Sequence, residues 1–246
     1  MPSNRLDQEL VARGLVASRA RAQHLIQGQQ VFVNGEIAVK SSQKVQDNSE
    51  IRIDSNYKDW VSRGALKLLA GLEAFNITPK GLVAADIGAS TGGFCEVLLE
   101  QGIAKIYAVD VGHDQLHERL KGEPRLINLE GVNARNLTSA EIPEPIDLVV
   151  SDVSFISLKK ALPAALSFCR KGAYLVALIK PQFEVGAANI AKGGIVKDDA
   201  VRDAVRLDME NWIETMPGWK LLGTIDSPIT GSDGNHEFLL GARYEG

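Results

Sequence analysis

Cysteine is nearly absent from this chain. Cys95 and Cys169 lie far apart and form no close-spaced pair, which excludes a disulfide scaffold, a cysteine-rich metal site and a redox dithiol. Both read as core filler. Long apolar runs are missing too. No stretch approaches the roughly 20 residues of a membrane-spanning helix, and MPSNRLDQEL lacks the apolar centre of a secretion signal. The expectation is a cytoplasmic protein with no membrane partner. Nor is there an excess of positive charge: 27 Lys and Arg stand against 31 Asp and Glu, a net −4. Any nucleic-acid contact therefore rests on a local patch. What is present, 45% apolar and 24% charged residues, is ordinary for a folded chain with a substantial core.

The charge is uneven. Residues 1–60 hold eight Lys or Arg against seven Asp or Glu, and the remainder holds 19 against 24. Within the first thirty residues Arg5, Arg13, Arg19 and Arg21 are set against only Asp7 and Glu9. Leu6 and Leu10 recur at helical spacing from Ser3 to a stop at Gly14, and a second short helix runs from Ser18 to Gly28. In "VFVNGEIAV" alternating apolar residues flank Asn34-Gly35, the strongest short-range hairpin signal, and "EIRI" supplies a third strand.

After the polar segment "DSNYKDWVSRG" the rhythm changes. Apolar runs near 82–87, 103–111, 146–150 and 173–179 alternate with helical stretches near 92–101, 157–170 and 199–215, and two further strands fall near 219–226 and 236–244. This predicts an α/β unit with a mostly parallel sheet covered on both faces.

"LVAADIGASTGGF" is a buried strand, a glycine-rich turn and a helix start. Its spacing is not the dinucleotide pattern, because Ser90 stands where the second glycine would let a pyrophosphate approach. "IYAVDV" follows as a second strand whose Asp110 is placed to grip ribose hydroxyls. A loop that nears its ligand without phosphate geometry suits S-adenosylmethionine. The expected cofactor set is Asp86, Gly88, Ser90, Thr91, Gly92, Gly93 and Phe94, then Asp110 and Val111, then Asn133 and Ala134 from "GVNARNL". For Asp86 and Asp110 the competing reading is strand-end capping.

In an open parallel sheet ligands sit beyond the carboxyl ends of the strands. Asp152 ends "DLVVSD" and Lys180 ends "LVALIK", so both belong to that crevice, with Lys67 on a helix before the first strand and Glu237 opening the last strand. His113 and His117, four apart on an expected helix, have no further ligands to complete a metal site, and no metal is expected. Phe155 and Phe183 stand beside strand ends, where they stack a flipped base or line the cofactor pocket. His24 and His236 read as edge contacts to RNA or to the active site.

Two resemblances follow from these motifs. "SRARAQHLIQGQQVFVNGEIA" resembles the alpha-L RNA-binding domain, a small α+β module that presents its second helix to RNA. The competing reading is a helical cap with a solvated arginine face. "VSRGALKL", "DIGASTGGF", "DVSFISL", "LIKPQFEVG", "KGGIVKD" and "SPITGSDGNHEF" together resemble the TlyA-type family of ribosomal RNA 2′-O-methyltransferases, often called hemolysins, and beyond them the FtsJ-like ribose methyltransferases. The resemblance implies a Rossmann-like, class I methyltransferase unit at 59–246 with a seven-stranded sheet, and the RNA-binding module at 1–58. It implies a catalytic tetrad of Lys67, Asp152, Lys180 and Glu237, S-adenosylmethionine as cofactor, and ribosomal RNA or a ribosomal subunit as partner, with cytidine as the target. Arg63 joins Arg5, Arg13, Arg19 and Arg21 as an RNA contact. One departure stands out: the family's paired glycines are Gly64-Ala65 here. "KDWV" at 58–61 either couples RNA binding to cofactor binding or anchors the segment through Trp60. The hemolysin name also implies a membrane-active protein, and loss of catalysis would leave an RNA-binding protein; methyl transfer is the reading the motifs favour.

Overall fold

The computed structural model describes residues 3–16, 18–54, 58, 60–185, 194–231 and 233–246, apart from the His24 side chain. The expectation for His24 and the part of 58–61 that falls on Asp59 lie outside the described residues. The chain forms two compact units, Met1–Asp59 and Trp60–Gly246.

The first unit runs β1 (Ser3–Arg5), α1 (Leu6–Ala12), α2 (Arg19–Gln27), β2 (Val31–Val33), β3 (Glu36–Ile37), β4 (Lys44–Gln46) and β5 (Ile51–Ile53). The helix expected from Ser3 starts three residues later. Ser3–Arg5 is extended and pairs antiparallel with β4. The first helical N–H groups, which have no partner within a helix, are taken by the turn that leads into β4: Leu6 donates to the Gln43 carbonyl and Asp7 to that of Ser41. The expected hairpin forms as β2 and β3, with Asn34 at φ +52° and Gly35 at φ +86°, as a tight two-residue connection requires. β5 pairs with the other edge of β2. Leu6, Leu10, Leu25, Ile26, Val31 and Val45 fill the core between helices and sheet.

The second unit contains α3 (Gly64–Ala74), β6 (Val83–Ile87), α4 (Gly93–Glu100), β7 (Lys105–Asp110), β8 (Leu126–Glu130), β9 (Ile146–Ser151), α5 (Leu158–Ala161), α6 (Pro163–Leu166), β10 (Cys169–Ile179), α7 (Pro181–Glu184), α8 (Asp199–Thr215), β11 (Trp219–Asp226) and β12 (Phe238–Tyr244). Seven strands order as β11-β12-β10-β9-β6-β7-β8. Those from β10 to β8 are parallel, and β12 inserts antiparallel between β10 and β11. One face is covered by α3 and α4 and the other by α5, α6 and α8, which accounts for the unbroken apolar strands.

Two expectations are corrected. The stretch 157–170 is not one helix, because Pro163 has no N–H and its ring crowds the preceding turn, so the helix restarts as α6 and β10 begins at Cys169. His113 and His117 do not share a helix: their segment is irregular and ends in a 3₁₀ turn at Glu118–Leu120, where His117 Nδ1 accepts from the Arg119 N–H at 3.2 Å.

Helix α3 approaches the sheet closely at Gly71. A Cβ there would stand 2.8 Å from Val176 Cγ1 on β10. One turn earlier the same helix carries Lys67 on its buried face.

Candidate active site

The carboxyl ends of β6, β7, β9 and β10 open on one side of the sheet. After β6 the chain turns at Gly88, whose φ of +87° is left-handed and whose Cβ would meet the Asp152 carbonyl oxygen at 3.0 Å. Ser90 takes φ +47° and donates its N–H to Asp110 Oδ2 at 2.8 Å, and Gly112 N–H donates to Asp110 Oδ1 at 2.8 Å. The carboxylate at the end of β7 thus ties the two loops together and still borders the space between them. That space is a cavity of about 380 Å³ walled by Gly88, Ser90, Asp110, Val111, Asn133 and Ala134. A smaller compartment of about 170 Å³ continues past Gly88 and Ser90 to Thr91, Gly93, Phe94, Asp152 and Lys180.

Two of the expected cofactor residues border neither space. Gly92 caps α4 at φ +89°, and a Cβ there would lie 2.3 Å from Leu120 Cδ1, so it is required by packing. Asp86 is fully buried beneath the loop. On β6 it shares a face with Ala84, the face covered by α4, and there Cys95 Sγ–H donates to Asp86 Oδ2 at 3.1 Å while Oδ1 has no partner. Burial, with Asp152 and Asp110 nearby, raises its carboxyl to about 7. A buried carboxyl held above its ordinary range binds its proton more tightly in the folded than in the unfolded chain. Its contribution to stability is therefore present at low pH and lost as pH rises towards 7. Asp86→Asn keeps an acceptor for Cys95 and removes the ionisation. The melting temperature of the variant relative to the parent, measured without ligand, is expected to climb by about 5 °C between pH 5 and pH 8.5. A difference that does not change with pH would refute the assignment.

The four charged side chains singled out from the sequence come together at the smaller compartment. Lys67 Nζ from α3 donates to Glu237 Oε2 at 2.6 Å and lies 3.9 Å from Asp152 Oδ2. Lys180 Nζ at the end of β10 stands 2.6 Å from Asp152 Oδ1, off the angle of a hydrogen bond, and gives its aligned hydrogen bond to Ser154 Oγ at 2.8 Å. Lys67, Lys180 and Glu237 are buried, and only Asp152 is partly open. Burial pushes the Glu237 carboxyl up, and Lys67 with Lys180 partly opposes this. Charges in such a place persist because they alternate in sign. Gly231 makes room for the arrangement, since a Cβ on it would meet Glu237 Oε1 at 2.6 Å.

The position of Glu237 follows from β12 running antiparallel to β10: Phe238 pairs with Ile179, so the residue before β12 stands beside Lys180. Lys67 is held by the approach of α3 at Gly71. The start of that helix is fixed by Gly64 N–H donating to Ser62 Oγ at 3.1 Å and Val61 N–H donating to Glu96 Oε2 at 2.6 Å. Sequence reasoning missed Ser154 and Ser62. The signal for Ser154 was its place two residues after Asp152 at a strand mouth.

Beside this site Phe155 is 90% exposed at φ +66°, a conformation unusual for an aromatic residue, and its ring lies 5.1 Å from that of Phe183. The pair lines an open cleft of about 470 Å³ with Arg135 and Lys160.

In the first unit, Asp7 is fully buried and accepts from Arg5 Nε at 2.9 Å, Arg19 Nη2 at 3.0 Å and Gln23 Nε2 at 3.0 Å, which holds its carboxyl well below the usual range. Arg13 donates to Glu9 and to the carbonyls of Gln46, Asp47 and Ser49, so four of its bonds brace the unit from within. Arg21 lies half-buried on α2, and Arg63 half-buried just before α3.

The comparisons agree with this architecture. Residues 60–244 match the FtsJ-like methyltransferase family and residues 4–51 the S4 domain. The chain is 44% identical to the 16S/23S rRNA (cytidine-2′-O)-methyltransferase TlyA of Mycobacterium tuberculosis, covering 98% of this chain and 90% of that protein. It is 38% identical to Hemolysin A of Brachyspira hyodysenteriae, covering 96% and 98%. A solved structure of a hemolysin-named protein from Streptococcus thermophilus superposes with a TM-score of 0.74 at 35% identity, covering 99% of this chain and 89% of that one. Among the described residues no helix is long and apolar enough to cross a membrane. The chain therefore belongs to the FtsJ-like methyltransferases, as a TlyA-type member with an S4 domain ahead of its methyltransferase unit.

Proposed function

We propose that this protein methylates the 2′-hydroxyl of a cytidine ribose in ribosomal RNA, using S-adenosylmethionine. The observation that carries the reading is the alternating cluster Lys67, Glu237, Asp152 and Lys180 at the inner end of a cavity bordered by the glycine turn. A ribose hydroxyl is a weak nucleophile at neutral pH and needs a nearby group to orient it and take its proton. Lys180 is that group. It orients the hydroxyl through Nζ and accepts or steers its proton, with Asp152 at 2.6 Å stabilising positive charge there. Lys67 and Glu237 fix Asp152 from the far side.

The donor set fits the cofactor. Asp110, at the end of the second strand, faces the larger cavity and suits ribose hydroxyls, Val111, Asn133 and Ala134 suit an adenine, and the turn at Gly88 to Gly93 leaves space for the amino-acid end. When bound, the cofactor supplies an electrophilic methyl group on a sulfonium. Asp86 acts from beneath the turn. Residues 59–246 form the catalytic domain in this reading and residues 1–58 the RNA-binding domain. Arg5, Arg19, Arg21 and Arg63 are the contacts offered to phosphates, with Arg13 principally a brace. Phe155, exposed over the cleft, stacks the target base. Incubating the protein with a tritiated methyl donor and either ribosomal subunits or naked ribosomal RNA is expected to place label on a ribose 2′-oxygen, mapped as an alkali-resistant linkage. Label on a base, or none on any RNA, overturns the reading.

A further inference from the structure

The arginines of the first unit are put to two different uses. Arg13 directs its donors into the fold, where Glu9 and the carbonyls of Gln46, Asp47 and Ser49 accept them. Arg5 and Arg19 do not. Arg5 gives two of its five N–H groups, through Nε and Nη2, and Arg19 gives one, through Nη2, and all three go to the carboxylate of Asp7. Among the described residues neither guanidinium has another hydrogen-bond partner. The two side chains stay 37% and 53% exposed, while the carboxylate that joins them is fully buried.

Three elements meet at this carboxylate. Asp7 is in the first turn of α1, Arg5 ends β1 two residues earlier, and Arg19 and Gln23, four apart on α2, share one face of that helix. Asp7 Oδ2 accepts from Arg5 Nη2 at 3.1 Å, Arg19 Nη2 at 3.0 Å and Gln23 Nε2 at 3.0 Å, and Oδ1 accepts from Arg5 Nε at 2.9 Å. Two guanidinium groups thus meet on one oxygen. Like charges repel, and here one buried negative charge offsets one of the two positive charges and holds both planes in place. Arg5 foremost, with Gln23 and Arg19, lowers the Asp7 carboxyl well below the usual range, so the anchor is charged at neutral pH.

The chemistry of the pair narrows what it recognises. A net positive charge remains, with unused N–H donors on two planar groups, and a phosphodiester is an anion whose oxygens match planar donors. An arginine side chain that is free must be ordered when its partner arrives, and that ordering weakens binding. One that is already held escapes this loss.

We infer that Asp7 is a positioning residue for RNA: from inside the fold it holds Arg5 and Arg19 as one preformed, two-armed receptor for backbone phosphates. The inference rests on the reading of residues 1–58 as the RNA-binding domain. The test titrates a ribosomal RNA transcript against the full-length protein at about 150 mM salt and reads the dissociation constant by filter binding. Asp7→Asn removes a negative charge from a surface that faces a polyanion, and charge alone would tighten binding. The inference expects the opposite, about tenfold weaker binding, because two arginine side chains lose their hold. Since Asp7 acts through its partners, the same substitution is expected to weaken binding only about threefold where Arg19→Ala is already present. A folded Asp7→Asn protein that binds as tightly as the parent, or more tightly, overturns the inference. So does an equal loss in the two backgrounds, which would make Asp7 a structural residue only. Should Asp7→Asn be unfolded at the assay temperature, nitrogen relaxation of the Arg5 Nε–H in the RNA-free parent is read in its place. It is expected to be as ordered as the backbone, and the mobility of an unanchored surface arginine overturns the inference. A parent that binds no ribosomal RNA overturns the RNA-binding reading of the first unit instead.

Discussion

Replacing Lys180 by alanine is expected to reduce single-turnover methyl transfer by about 10³-fold while changing cofactor affinity little. The expectation follows from where the side chain sits. Lys180 ends β10, and its ammonium group bridges Asp152 Oδ1 and Ser154 Oγ at 2.6 and 2.8 Å, at the inner end of the smaller compartment. Most of the cavity's wall comes from other strands, so the loss falls on the chemical step. Lys180→Arg separates two roles. A guanidinium keeps the positive charge and cannot give up its proton near neutral pH. If Lys180 takes the hydroxyl proton, arginine restores less than about tenfold of the lost rate. Near-parental activity in the arginine variant would make Lys180 a positioning charge only, and near-parental activity in the alanine variant would remove it from the mechanism.

The second large effect is expected at Lys67, and it appears in stability as well as rate. Lys67→Met leaves Glu237 buried without its 2.6 Å partner, a loss of about 3 kcal/mol for a pair this enclosed. Glu237 then responds by holding a proton. Because burial already pushes that carboxyl up, the stability deficit widens as pH rises and narrows as pH falls. Lys67→Met combined with Glu237→Gln removes both charges and is expected to recover much of the stability. Neither variant is expected to recover activity, because Asp152 has lost the cation on its far side; the rate falls by about 10²-fold in both. Denaturant titrations at pH 6 and 8 measure the first effect and methyl transfer the second. Equal stability of the single and double variants at pH 8 would show that the pair does not act as a unit.

Much of this was legible because strand ends are legible. Asp110, Asp152 and Lys180 each close an apolar run, and in a parallel sheet those ends point one way. Lys67 and Glu237 were harder, since each sits outside the parallel strands; their placement came from resemblance, and the physical reasons are the tight approach of α3 at Gly71 and the reversed direction of β12. Asp86 lies deeper than its place in the motif suggests, for a definite reason. Its neighbours along the chain are glycines of the turn, but its side chain follows the two-residue alternation of β6 and faces α4, where Cys95 meets it. The thiol, nine residues on, was read as core filler, and the alternation of β6 was the signal that joined the two. The arginines of the first unit were counted as charges. Asp7 and Glu9 are near in sequence, but the carbonyls of Gln46, Asp47 and Ser49 that engage Arg13 are brought to it only by folding. The break at Pro163 was visible in the sequence and was outweighed by the apolar pattern around it.

The insertion of β12 also sets the order in which the molecule becomes competent. The larger cavity is walled by residues between Ile87 and Ala161, most of the wall contributed by neighbouring strand ends. The contact of Lys67 with Glu237 spans 170 positions. In the order of synthesis the residues that wall this cavity come first and Glu237 comes last of the cluster. Closing so long a loop is slow relative to local folding. The residues that wall the larger cavity thus precede Lys180 and Glu237 in the chain, and the charge cluster is complete only once β12 has paired with β10.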